Sequence, residues 1–306
     1  MKYILVTGVA GFIGSKVAEC LIKDGYNVVG IDNLSTGKLS VVPAEVFFIE
    51  SDACANDLQE KLEPFHFDAI LHIAGQSSAE VSYSDPVYDL KSNVESTLFL
   101  LNYAVMKNIK NFVYASSATV YGAQANPIFL SEEVTPDPIS FYAVGKLASE
   151  RYLKLFTNEY GISTVALRLF NVYGPGQNLD NSNQGMASIF LAQAIRDKKF
   201  LVKGSANRFR DFVYIDDVVD VFIRSMLIKE PSFHIYNVST GIKTTVGELL
   251  EYIRINLPFD IEIEFKGSTR GDITGQSGSF DKLKKDLQMP NMVTFGVGIK
   301  RMVDWA

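Results

Sequence analysis

The sequence predicts an α/β protein: a Rossmann-like doubly wound parallel sheet with a smaller mixed α/β C-terminal domain. Three observations point there. The first half alternates short β-rich apolar runs with longer segments of helical period, the pattern of a parallel sheet covered on both faces. A glycine turn, "TGVAGFIG", joins the first apolar run to the first helical segment. From Gly174 the texture changes to "GPGQNLDNSNQG", whose Gly, Asn and Pro read as a loop and a domain transition.

Each element follows in order. "KYILVTG" is the first strand, "FIGSKVAECLIKDG" the first helix and "YNVVGID" the second strand. "VFFIES", "FDAILHIAG" and "NFVYASS" are the next three strands, and a long helix over about 86–106 precedes the last of them, with Pro86 at its opening turn. After Ser117 a loop holding Pro127, Pro136 and Pro138 leads to a second long helix over about 140–160. "ISTVALRLFNVYG" is a further strand and its exit. Beyond Gly174 the alternation is lost, except that "RDFVYIDDVVDVFIRSM" reads as a strand feeding a helix and is expected to return to the first sheet. The expected division is therefore 1–172, with a returning segment about 211–238, and a second domain of 173–210 and 239–306. Internal repeats and low-complexity tails are not seen.

With 306 residues, 47% hydrophobic and 21% charged, the chain can bury a substantial core in one large domain or two modest ones. A net charge of −6 disfavours nucleic acid or an anionic membrane as partner. Cys20 and Cys54 are too few for a disulfide framework or a cysteine-rich zinc site, which suits a reduced, cytoplasmic setting. The apolar start runs straight into a glycine turn, unlike a signal peptide, and no apolar run approaches the roughly 18 residues of a membrane span. His66, His72 and His234 are widely spaced, so no metal is expected and all three read as structural or incidental.

Two features carry chemistry. Gly8, Gly11 and Gly14 form a GxxGxxG turn between strand and helix, where backbone can approach a pyrophosphate and the helix N-terminus offers free N–H groups. Asp32 ends the second strand 18 residues past Gly14, where a carboxylate binds a ribose 2′-hydroxyl and repels a 2′-phosphate, favouring NAD over NADP. Asp52, just after the third strand, is within reach of an adenine edge. The second feature occurs twice: "FYAVGK" and "NYAVMK" each place a Tyr four residues before a Lys on one helix face, where an ammonium favours an ionised phenol. Spacing alone leaves both pairs open.

"TGVAGFIG", "HIAG", "SSATVYG" and "YAVGK" occur in the order seen in the extended short-chain dehydrogenase/reductase family, and the chain resembles its nucleotide-sugar epimerase branch. "SSATVYG" is most similar to the UDP-galactose 4-epimerases, and "LRLFNVYGPGQ" and "RDFVYIDD" extend the likeness over nearly the whole chain. The resemblance implies that the catalytic Tyr and Lys follow the strand bearing a Ser or Thr. It therefore assigns Ser117, Tyr142 and Lys146, leaves Tyr103 as helix packing, and makes Ser116 structural. Ser117 would hydrogen-bond the substrate hydroxyl, Tyr142 would act as base, and Lys146 would also bind the nicotinamide ribose. Cofactor contacts are expected at Gly8, Gly11, Phe12, Ile13, Gly14, Asp32, Asn33, Asp52, Ala53, Ile73, Ala74 and Gly75, besides Tyr142 and Lys146.

Related dehydratases carry Asp-Glu directly after the Ser/Thr, and decarboxylases usually a Glu at the second of these positions; here Ala118 and Thr119 stand there. The simplest implied cycle is then oxidation at C4 of a UDP-sugar to a transient 4-keto sugar, rotation, and return of the hydride, with NAD retained. A net dehydrogenase or 4-keto reductase is the alternative enzyme reading, and a non-catalytic NAD-binding regulator the other. On the substrate side the resemblance implies phosphate contacts from Asn171 and Arg210. Arg270 is a further candidate, although Thr269 stands at the usual Arg position before Asp272. Gln276, Ser277, Gly278 and Ser279 are mostly small and favour a roomy sugar pocket. Relatives pair through the helices near 86–107 and 140–160, implying a homodimer.

Overall fold

Five strands build the first half: β1 (Tyr3–Thr7), β2 (Asn27–Asp32), β3 (Phe47–Glu50), β4 (Phe67–His72) and β5 (Asn111–Ser117). With β6 (Ser163–Leu169) and the strand Phe233–Val238 they form a seven-stranded sheet, in the order Phe233–Val238, β6, β5, β4, β1, β2, β3. The computed structural model describes residues 2–124, 129–181, 185–267 and 274–306. Strand pairs from β5 to β3 run parallel, and Thr7 lies level with both Ile31 and His72. The chain order reverses beside β1, where open α/β sheets bind ligands beyond their carboxyl ends.

Apolar residues on both faces explain the sheet. Ile4, Leu5 and Val6 are buried, and the helix Phe12–Lys23 covers them with Val17, Ala18 and Leu21. The helix Phe141–Tyr160 is delimited by local chemistry: the Ser140 hydroxyl accepts from the Ala143 N–H at 3.2 Å, and Gly161 ends it at φ +66°. The chain forms two compact units. Met1–Val120, Ser140–Arg168 and Val219–Tyr236 make the first, and Tyr121–Ile139, Leu169–Val218 and Asn237–Ala306 the second.

Two elements differ from expectation. The helix expected over 86–106 is divided into Pro86–Leu90, a π-helical turn Lys91–Glu95, and Ser96–Met106. Also, Phe212–Tyr214 does not return to the large sheet; it pairs in parallel with Asn171–Tyr173 in the second unit. Aromatic packing holds it there, with Tyr173 edge-on to both Phe212 (5.9 Å) and Tyr214 (5.7 Å). The returning strand is Phe233–Val238, beside β6. Among the described residues no helix is long and apolar enough to cross a membrane, and no group of His, Cys, Asp and Glu is arranged to hold a metal.

Candidate active site

The glycine turn is shaped by contact rather than by flexibility alone. Gly8 has φ +73°, and a Cβ there would meet the Ala74 nitrogen at 2.8 Å. A Cβ on Gly14 would stand 2.0 Å from the Gly8 carbonyl oxygen. Gly11 caps the helix Phe12–Lys23 without a side-chain acceptor, and no acidic residue occupies the first turn that Phe12 and Ile13 open. Donors and positive dipole end are thus left for an anion. Asp32 sits at the end of β2, accepting from the Ala10 N–H through Oδ2 (3.0 Å) and the Leu34 N–H through Oδ1 (2.8 Å). Asn33 donates to Asp52 at 3.3 Å, and Ala53 beside them is buried. These residues fit a dinucleotide: a cradle closed to any Cβ, an uncapped helix start, and a carboxylate at the next strand end.

Thr7, which sequence reasoning passed over, joins this cradle to the loop after β4. Its hydroxyl accepts from the Ile73 and Ala74 N–H groups (3.2 and 3.1 Å) and lies 2.7 Å from His72 Nδ1. His72 is fully buried, and desolvation, with Lys146 adding to it, pushes its pKa down to about 3, so it is a neutral structural ring. The signal was a polar residue at the last position of an apolar strand.

The first unit brings Ser117, Tyr142 and Lys146 together. Ser117 ends β5, its Oγ accepting from the Thr119 hydroxyl (2.9 Å) and backbone N–H (3.2 Å), and it lies near enough to the Tyr142 phenol to favour its ionised form. Lys146 is one turn beyond Tyr142; its Nζ donates to the Ala115 carbonyl at 2.9 Å and lies 5.7 Å from the Tyr142 ring centre. Tyr142 and Lys146 are both buried. Desolvation pushes the Lys146 pKa down to about 8, opposed by Asp89. It pushes Tyr142 up to about 12, opposed by Ser117 and reinforced by Asp89. The sequence reading expects Lys146 and an oxidised nicotinamide together to lower Tyr142; among the protein's own groups the ammonium sits toward the ring and Ala115, and burial dominates.

The rival pair does something else. Tyr103 packs in the core edge-on to Phe67 and donates to the Leu62 carbonyl, while Lys107 pairs with Glu63 at 2.5 Å. Ser116 donates to Glu150, which holds Arg168 in a buried ion pair of 2.7 Å, so that hydroxyl is committed to the fold.

In the second unit Asn171 and Arg210 are linked through Asp211. The Asn171 N–H and Nδ2 both donate to the Asp211 carbonyl (3.0 and 3.3 Å). The buried Asp211 carboxylate accepts from Thr240 N–H and hydroxyl (2.8 and 2.7 Å), Gly241 N–H (2.9 Å) and Gly278 N–H (3.2 Å), pinning two loops beside Arg210. Arg210 is half-buried and donates to Phe209; desolvation, then Arg208, pushes its pKa down to about 10, leaving it a cation at neutral pH. Residues 276–279 are buried, and a Cβ on Gly278 would meet Phe170 at 2.5 Å, so the glycine there serves packing. Arg270 lies outside the described residues.

Comparison with known proteins fits this geometry. The profile of the NAD dependent epimerase/dehydratase family matches residues 4–239. The chain belongs to that family. Among solved members, UDP-glucose 4-epimerase from Thermotoga maritima, determined with UDP-glucose, is 32% identical with a TM-score of 0.95, covering 99% of this chain and 98% of its own. UDP-N-acetylglucosamine 4-epimerase from Methanobrevibacter ruminantium, in complex with UDP-N-acetylmuramic acid, is 30% identical with a TM-score of 0.93, over 99% and 97%. UDP-glucose 4-epimerase from Thermus thermophilus, in complex with NAD, is 32% identical with a TM-score of 0.92, over 99% and 98%.

Proposed function

We propose that the protein is an NAD-dependent UDP-sugar 4-epimerase, acting on the UDP-glucose/UDP-galactose or the N-acetylhexosamine pair. The observation that carries this is the Ser117–Tyr142–Lys146 group, with Ala118 and Thr119 where an eliminating or decarboxylating enzyme needs a carboxylate. Tyr142 takes the proton of the sugar C4 hydroxyl as hydride leaves C4, and returns a proton to the C4 oxygen when hydride comes back to the other face of the carbonyl. Ser117 orients that hydroxyl, and Lys146, held by Ala115, supplies fixed positive charge. Bound NAD supplies hydride acceptance and return at C4. The neutral phenol of this state needs added positive charge to serve as base, which makes an oxidised nicotinamide nearby a condition for proton removal.

The NAD-holding residues in this reading are the glycine turn, Asp32, Asn33, Asp52, Ala53 and residues 73–75, all within the first compact unit. Asn171 and Arg210 hold the substrate phosphates, a planar guanidinium being suited to bidentate contact. The test is NMR of the purified protein, with no added NAD, mixed separately with UDP-glucose, UDP-N-acetylglucosamine and UDP-glucuronate. A C4 epimer from one of them is expected; no epimer from any, with bound NAD confirmed, would overturn the reading.

A cytoplasmic homodimer completes the proposal. Phe141, Val144, Tyr152 and Leu155 leave an apolar stripe exposed along the helix Phe141–Tyr160, and Val87 and Leu90 are exposed on Pro86–Leu90, which packs against it. Sedimentation should show a dimer, and Leu155→Glu a monomer. A wild-type monomer at micromolar concentration would refute it.

A further inference from the structure

A carboxylate that the proposed mechanism does not use lies against the catalytic helix. Asp89, in the helix Pro86–Leu90, is 1% exposed, and its Oδ1 accepts from Gln76 Nε2 (2.6 Å) and Asn93 Nδ2 (3.2 Å). Its Oδ2 accepts no hydrogen bond among the described residues; it stands 3.4 Å from the point a Gly145 Cβ would occupy. Gly145 lies between Tyr142 and Lys146 in the chain, so the carboxylate packs against the stretch of helix that joins that pair. The π-helical turn fixes this arrangement. It carries Asn93 inward, where the Asn93 carbonyl accepts from Ser149 on the catalytic helix (2.9 Å) and Nδ2 also donates to the Gln76 carbonyl (3.0 Å).

We propose that Asp89 is a positioning residue for Tyr142 and Lys146, its carboxylate serving as the buried counter-charge to the Lys146 ammonium. This rests on the epimerase reading of that group. A buried carboxylate and a buried ammonium are each costly alone and sustain one another when close. Two amide donors favour the charged form of Asp89 although burial raises its pKa. The groups facing Lys146 include Tyr142 on its own helix, Tyr114 on β5, the Asn93 side-chain oxygen on the π-helical turn, and His72 on β4, which burial keeps neutral. Asp89 is the acid among the described residues that opposes the desolvation of Lys146. It keeps the ammonium charged at pH values where burial would neutralise it, and makes Tyr142 harder to ionise. The carboxylate therefore sets the pH window of the pair.

Asp89→Asn in the purified holoenzyme tests this. Both limbs of the kcat–pH profile should move to lower pH, on the order of one pH unit, because loss of the negative charge eases ionisation of Tyr142 and loss of the Lys146 proton. Asp89→Glu should restore the wild-type position, and Asp89→Ser, neutral and smaller, stands in should the Asn variant not fold. A readout independent of turnover is the tyrosinate absorbance titration, taken as the difference with and without Tyr142→Phe. The Tyr142 transition should occur at lower pH in the Asp89→Asn background. A neutral variant that loses activity or stability equally at all pH values, with neither profile nor titration moved, would overturn the proposal. Failure to turn over any UDP-sugar would sink the epimerase reading alone, since the tyrosinate titration still decides Asp89.

Discussion

Gly14→Ala separates a cofactor cradle from an ordinary glycine turn. Its Cβ would lie 2.0 Å from the Gly8 carbonyl oxygen and 2.7 Å from the Gly8 carbonyl carbon, so backbone must move by about an ångström. Overpacking of this kind costs about 1–3 kcal/mol in the fold. The same movement displaces the N–H groups of the first turn, and each hydrogen bond to a charged oxygen is worth about 1.5–3 kcal/mol. Loss of one such bond weakens NAD binding by roughly 10- to 100-fold. Gly161→Ala is the control: with φ +66° and nothing within 4 Å, it isolates backbone strain, about 1 kcal/mol, remote from the cradle. Nucleotide released from the denatured, purified proteins would be quantified, and thermal unfolding followed with and without added NAD. Gly161→Ala should lose stability and keep its nucleotide, whereas Gly14→Ala should lose most of the nucleotide. A Gly14→Ala protein with a full complement of NAD and wild-type melting would refute the steric reasoning.

Tyr142→Phe should lower sugar turnover by roughly two to four orders of magnitude with bound NAD and melting temperature little changed, and near wild-type turnover would remove the phenol from the mechanism. Arg210→Gln should raise KM for the UDP-sugar about 10- to 100-fold with a smaller effect on kcat, measured by initial rates; an unchanged KM would place the phosphates elsewhere. His72 makes folding sensitive to acid. Its pKa falls from 6.5 to about 3 on burial, so between those values the unfolded chain binds a proton that the fold does not, and stability drops as pH falls through 6.5. Between pH 6.5 and 5 the loss is about 2 kcal/mol, and denaturant unfolding at pH 7 and 5 should show it shrinking in His72→Gln. Equal losses in both proteins would exclude His72 as the source.

What the sequence could and could not foretell divides on whether a residue's partner is near in the chain. Gly8 and Gly14 are local requirements, since each would clash with backbone of the turn or the loop it meets, and the strand–turn–helix pattern announced them. The two Tyr–Lys pairs have identical spacing, and only their relation to β5 tells them apart: Tyr103 is turned into the core, while Tyr142 meets Ser117 at the strand's end. The π-helical turn left no such trace. One additional residue in a turn rotates the following face by about 100°, yet the apolar spacing across Lys91–Glu95 reads as continuous helix. Asp89 and Asn93 look from their spacing like one polar face turned to solvent, and both are buried. Burying them is tolerable because Gln76, from the loop after β4, donates to Asp89 and accepts from Asn93 Nδ2, while Ser149, from the catalytic helix, anchors the Asn93 backbone carbonyl. Those partners are 13 and 56 residues away, so the polar cluster behind the catalytic pair comes from tertiary structure and not from any motif.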